Sequence, residues 1–128
     1  MLEPGLEATV EETVTEEMTA ERLGSGDVPV LGTPAVLALV EAAAVAAVSN
    51  ALEASDTTVG ESVELEHLAP TAVGAPVTAT AGLVELDGRR LRFSFEVTDP
   101  AGPIARGTHV RVLVDRERFL AGARDRSG

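Results

Sequence analysis

The sequence has no cysteine, tryptophan or tyrosine, and only three phenylalanines. Without cysteine there are no disulfides, no thiolate metal site and no cysteine nucleophile, although the redox compartment stays open. With so few aromatics the core has to be filled by Val, Leu and Ala, residues small enough for backbone to pack closely around a helix. Basic residues are also few, ten against 21 acidic ones, for a formal net charge of −11. A surface of that sign repels phosphate backbones and anionic membranes, so neither nucleic acid nor a membrane is an expected partner. The acidic opening stretch MLEPGLEATVEETVTEE lacks the basic-then-apolar layout of a signal peptide, and a cytoplasmic location is expected. A length of 128 residues suits a single domain, 1–128, with its core at about 5–119 and a disordered tail at 120–128.

What is present is one long apolar run, Leu31 to Ala51, LGTPAVLALVEAAAVAAVSNA, whose only charge is Glu41. A helix hydrophobic on every side is a buried one, because a surface helix keeps a polar stripe for water. It is short and Ala-rich for a membrane span. Thr33 can cap the first free amides, and Pro34 suits the first helical position, where a missing N–H costs nothing.

The remaining chain reads as strands. Leu6 to Thr15 alternates loosely, a helical turn is expected at Thr19 to Leu23, and SGDVPVLG is an irregular loop. In Thr58 to Leu68, Val59, Glu61, Val63, Leu65 and His67 fall on one face and Gly60, Ser62, Glu64 and Glu66 on the other. Pro76 to Leu86 is rich in Val and Thr, and Asp87-Gly88 signals a hairpin. Leu91, Phe93, Phe95 and Val97 alternate with polar residues, and Ile104 to Val114 forms a last strand before a short helix at Arg116 to Ala123. Helix and strands segregate along the chain, which predicts an α+β fold: an antiparallel sheet of about five strands wrapped around a long central helix.

Glu41 is the residue in most need of a reason, since burying a lone carboxylate is expensive. One explanation is an ion pair with Arg111; the other is chemistry. His67, on the helix-facing side of its strand, can bring an imidazole against the Glu41 carboxylate. Such a pair can deprotonate a water, or the carboxylate can attack a carbonyl itself, while the helix N-terminus favours a developing oxyanion. Thr33 before Pro34 is fully explained as a cap, which spacing alone favours over catalysis, and His67 can be a satisfied sheet histidine. A metal held by His67, His109 and Glu41 has no ligand spacing to support it, and none is expected.

Three spacings taken together carry a resemblance: Thr33-x7-Glu41 on the helix, Gly60-x6-His67 on the next strand, and Gly107-Thr108-His109-x-Arg111 on the last. The chain, from about Gly5 to Phe119, resembles the hot-dog thioesterases, and within them the fluoroacetyl-CoA thioesterase-like group. The resemblance implies a homodimer, with tetramers left open, that hydrolyses a small or medium acyl-CoA to free acid and CoA at a pocket built by the dimer. It implies Thr33, Glu41 and His67 as catalytic residues. Glu41 is then nucleophile or water-activating carboxylate, His67 general acid or base, and Thr33 the orienting hydroxyl. Gly60 and Arg111 become substrate-binding residues, and no cofactor is needed because coenzyme A is part of the substrate. The chain departs from the group in two places. The loop ERLGSGDVPVLG lacks the phenylalanines that form a lid in the fluoroacetate-specific member, and Pro34 removes an amide where the group has a glycine. A non-catalytic hot-dog module binding acyl-CoA or an acyl carrier is the alternative function. Enoyl-CoA hydration is disfavoured because no Asp and His share the central helix.

Overall fold

The computed structural model describes residues 1–128. Strand β1 (Glu7–Thr13) leads through a 3-10 turn at Glu16–Met18 and a single-turn helix α1 (Ala20–Leu23) to the long helix α2 (Thr33–Val48). Four strands follow, β2 (Asp56–His67), β3 (Pro76–Asp87), β4 (Arg90–Asp99) and β5 (Gly102–Asp115), and the chain closes with helix α3 (Arg116–Arg126). The strands form one sheet in the order β1-β3-β4-β5-β2, antiparallel throughout. This is the expected α+β, hot-dog arrangement.

The alternation read in β4 holds: Leu91, Phe93, Phe95 and Val97 are all buried, beside Val77, Ala79, Ala81 and Leu83 of β3. Against this floor α2 lays Val36, Leu39, Val40, Ala43, Ala44, Ala47 and Val48. Alanines at the contact let helix and sheet backbones approach closely, so a core with only two buried phenylalanines, Phe93 and Phe95, still closes.

Four expectations need correction. The helix is not wrapped on every side: Ala38, Ala42, Val45 and Ala46 are exposed, because the sheet of one chain covers only one side of α2. Thr33 is not the cap; Gly32 occupies that position, and no side chain caps the helix. A Cβ on Gly32 would sit 3.0 Å from the Ala20 Cα, so the close approach of α1 requires glycine there. The C-terminal residues are helical through Arg126, with the Asp115 side chain accepting from the Arg118 amide and Arg124 and Arg126 in the last turn, where cations suit the helix dipole.

The fourth correction concerns β2. Its pairing with β5 shifts at Glu61, so that Gly60 opposes Arg111 while Ser62 opposes Val110. This bulge breaks the even alternation and turns Gly60 onto the same face as Val63, Leu65 and His67. Outside the sheet, Arg90 grips the displaced Glu61 carboxylate at 2.9 and 3.2 Å.

Gly107, opposite Leu65 on β5, has no room for a side chain: a Cβ there would collide with the backbone carbonyl of Glu64 and lie 2.8 Å from the Phe95 ring. Backbone cannot yield as a flexible side chain can. Gly107→Ala is expected to destabilise the fold by about 3 kcal/mol, measured by urea unfolding; a loss nearer ~0.5 kcal/mol would mean that β2 can separate from β5 at little cost.

Candidate active site

Thr33 opens α2 and Glu41 follows eight residues later, roughly 12 Å along the axis and about 80° round it. The structure gives each a different partner. The Thr33 hydroxyl lies 2.9 Å from Nδ1 of His67, at the end of β2, so the hydroxyl first read as a cap is spent on the histidine. Nε2 of His67 is buried and has no hydrogen-bond partner. A buried, unpaired ring nitrogen costs about 1–3 kcal/mol, and such costs collect at functional sites.

Glu41 does not meet His67 within the chain. Its Oε2 accepts from Arg111 Nη1 at 3.0 Å, the ion pair anticipated as the alternative reason for Glu41. The glutamate side chain is 41% exposed and the arginine 7%. A guanidinium so deep in the fold needs partners at each nitrogen. Nε donates to the Thr58 hydroxyl at 2.9 Å, Nη2 to the Thr58 carbonyl at 3.0 Å, and Nη1 also to His109 Nε2 at 3.1 Å.

His109 can accept that bond only as the neutral ring with its proton on Nδ1, and Nδ1 donates to the Ser62 carbonyl at 2.8 Å. Its pKa is held below the ordinary imidazole range, first by burial and then by the Arg111 charge, against the opposing pull of the Ser62 hydrogen bond and of Glu41. Oε2 of Glu41 lies 3.8 Å from His109 Nε2, outside hydrogen-bonding distance.

Gly60 completes this cluster. A Cβ at Gly60 would stand 2.6 Å from Glu41 Oε2, so the bulge places a missing side chain where the carboxylate rests. Leu37, Gly60, Val63, Glu41 and His109 line a shallow depression of about 180 Å³. The Glu41 Oε1 atom accepts no hydrogen bond, which leaves it free to attack a carbonyl carbon or to take a proton from water.

The five expected site residues thus fall into two groups, Thr33 with His67 and Glu41 with Gly60 and Arg111. The anchor Thr58 and the positioning role of His109 were not anticipated. The signal for His109 was present: His109 and Arg111 are two apart on one strand and must share a face. Nothing in the sequence marks Thr58, whose hydroxyl acquires its role from the register of β2 on β5.

The lowered pKa of His109 makes it a stability sensor. Below an unfolded-state value near 6.5 the unfolded chain binds a proton that the folded chain refuses, so stability complete above that pH is lost as pH falls toward the native value. Melting temperatures of wild type and His109→Gln, compared between about pH 7.5 and 5.5, should diverge most at the upper end and converge on acidification. Equal slopes would mean that another group carries the response.

Comparison with known proteins gives the family of the chain. The family model described as fluoroacetyl-CoA-specific thioesterase, FlK, matches residues 14–117. The chain is 34% identical over 98 residues to the fluoroacetyl-CoA thioesterase of Streptantibioticus cattleyicolor, covering 77% of this chain and 70% of that protein. A solved structure of the fluoroacetyl-CoA thioesterase FlK superposes with a TM-score of 0.91 at 29% identity, over 98% of this chain and 97% of that one. A thioesterase superfamily member from Thermus thermophilus superposes with a TM-score of 0.90 at 28% identity, over 99% and 94%. The chain belongs to the fluoroacetyl-CoA-specific thioesterase family and is a thioester hydrolase of the hot-dog fold.

Proposed function

We propose that this chain hydrolyses a small or medium acyl-CoA to the free acid and coenzyme A, using Thr33, Glu41 and His67. The observation that carries this reading is the Glu41 carboxylate, fixed through one oxygen by Arg111 and open through the other to a depression beside Gly60. Oε1 of Glu41 either attacks the thioester carbonyl, giving an acyl anhydride that a water then hydrolyses to free acid and carboxylate, or draws a proton from the water that attacks the thioester directly. His67, oriented by Thr33 through Nδ1, delivers a proton from Nε2 to the departing thiolate. Coenzyme A enters and leaves as part of the substrate, with no separate cofactor.

The acyl group is set by the loop before α2. Residues 21–32 contain no aromatic side chain, and the exposed apolar side chains there are Leu23 and Val28. A loop with these side chains and no phenylalanine favours small or medium acyl groups other than the fluoroacetyl group named for the relatives.

A second copy completes the site. β2 is an edge strand exposed without interruption from Gly60 to Glu64, and the uncovered face of α2 is Ala38, Ala42, Val45 and Ala46. An edge with unpaired backbone groups beside an apolar helix face leaves room for a partner strand and helix. A two-fold axis between Val63 and Glu64 would set His67 of one β2 opposite Gly60 of the other, bringing Thr33 and His67 of one protomer to Glu41 of its partner.

Release of CoA thiol across a panel of acyl-CoAs is expected from wild type and not from Glu41→Gln. Saturable binding with no turnover by wild type would replace the enzyme with a binding module. Mixing and refolding inactive Glu41→Gln with inactive His67→Ala should restore about a quarter of wild-type turnover, since half the random pairs are mixed and each holds one intact site. No recovery would return all three residues to a single protomer. Gly60→Ala should keep its fold, because the atom it meets is the end of a flexible side chain, yet lose on the order of a hundredfold in turnover by displacing the carboxylate. Full activity in that variant would dissociate the Arg111-bound position of Glu41 from catalysis.

A further inference from the structure

All ten basic residues of the chain are arginines, and they divide evenly. Arg22, Arg90, Arg92, Arg106 and Arg111 are each ion-paired with a glutamate. Arg89, Arg116, Arg118, Arg124 and Arg126 make no ion pair; four of them are on α3, and Arg89, in the β3–β4 turn, shares a cavity with Arg118. Residues 87–89 and 115–128 carry five arginines against four acids, Asp87, Asp115, Glu117 and Asp125, a local excess of positive charge in a chain of net charge −11. Unpaired cations gathered on an acidic protein leave one place where a polyanion is attracted.

The corner where Arg89 and Arg118 meet also has a floor. Arg89, Arg118, Phe119, Leu113 and Val114 line a cavity of about 310 Å³. Phe119 is 46% exposed, while the other two phenylalanines of the chain are buried. Arg89 Nη1 donates to the Leu113 carbonyl at 2.9 Å, which holds its guanidinium at the rim with its other donors free. Asp115, the acid on this rim, is engaged as the cap of α3 through the Arg118 amide at 3.0 Å. Guanidinium groups over an aliphatic and aromatic floor suit a nucleotide, with phosphates on the arginines and a base on the ring.

The corner stands at a fitting distance from Glu41. Arg111 and Gly60 pair across β5 and β2, and the row of Leu113 and Thr58 lies two residues further on, about 7 Å away. Arg116 begins α3 about 15 Å from Arg111 by the same rise. The pantetheine arm between thiol and diphosphate has the length of four to five extended residues, about 15 Å. We propose that the cavity between α3 and the β3–β4 turn binds the 3′-phosphorylated ADP end of coenzyme A, with Arg89 and Arg118 on its phosphates and Phe119 against its adenine. This rests on the thioesterase reading for its substrate but has its own test.

The KM of the wild type should be lower for an acyl-CoA than for the matching acyl-pantetheine. In the double variant Arg89→Gln/Arg118→Gln the KM for the acyl-CoA should rise about tenfold, equivalent to ~1.4 kcal/mol, with kcat little altered, so that the preference collapses. Adenosine 3′,5′-bisphosphate, titrated by calorimetry onto folded wild type and the double variant, should bind only the former and more weakly as salt is raised. Equal KM values for the two thioesters in wild type, or equal binding of the bisphosphate by wild type and variant, would overturn the subsite. If wild type cleaves neither thioester but binds the bisphosphate through these arginines, the hydrolytic reading fails and the subsite stands.

Discussion

The contact between Arg111 and Glu41 is the constraint around which the rest of the site is arranged. A guanidinium buried among sheet residues costs more than a surface pair returns, and it persists here with each of its three nitrogens engaged. Thr58 takes two of them, through hydroxyl and carbonyl, and His109 and Glu41 share a third nitrogen. Each partner imposes a further demand. His109 must stay neutral with its proton turned to Ser62, and the Ser62 carbonyl is in place because β2 bulges at Glu61. The same bulge rotates Gly60 toward the carboxylate, where any side chain would take its place. One buried cation thus ties together the register of two strands, the tautomer of a histidine and the position of a glycine.

The consequence for chemistry is that Glu41 is fixed at one oxygen and free at the other. A carboxylate held only by water would sample many rotamers, and ordering it during reaction would carry an entropic cost. Here the cost is met in folding. Thr33 and His67 are arranged on the same principle: the ring is oriented through Nδ1 while Nε2 is left without a partner. The two groups differ in the atom left over: Oε1 of Glu41 is open to solvent, whereas Nε2 of His67 is buried without a partner.

Much of this was legible beforehand. The apolar run around Glu41, the strand of Leu91, Phe93, Phe95 and Val97, and the intervals among Glu41, Gly60, His67 and Arg111 depend on local periodicity and on residue type, which a sequence states directly. What escaped depends on pairing between distant segments. The bulge follows from the fit of β2 on β5, so an even alternation was assigned to a strand that slips by one residue. Thr33 carries the chemistry of a cap wherever it opens a helix, and only the arrival of His67 decides where its hydroxyl goes. The apolar composition of α2 signalled burial on all sides, yet composition does not distinguish cover by the same chain from cover by another.

That last ambiguity bears on how an acidic protein handles an anionic substrate. With 21 acids the molecule repels phosphates over most of its surface, which slows encounter everywhere except where the sign reverses. Pairing five arginines with glutamates neutralises them locally and leaves the other five, four on α3 and Arg89 in the β3–β4 turn, without a paired acid. The exposed C-terminal helix, which adds nothing buried to the core, then has a physical reason to be ordered: it holds cations in one place, capped by Asp115 and anchored where the Arg116 amide meets the Ser55 carbonyl. Repulsion elsewhere sharpens rather than weakens this effect, because a polyanion turned away from every other face spends more of its encounters at the one corner from which a pantetheine arm can reach Glu41.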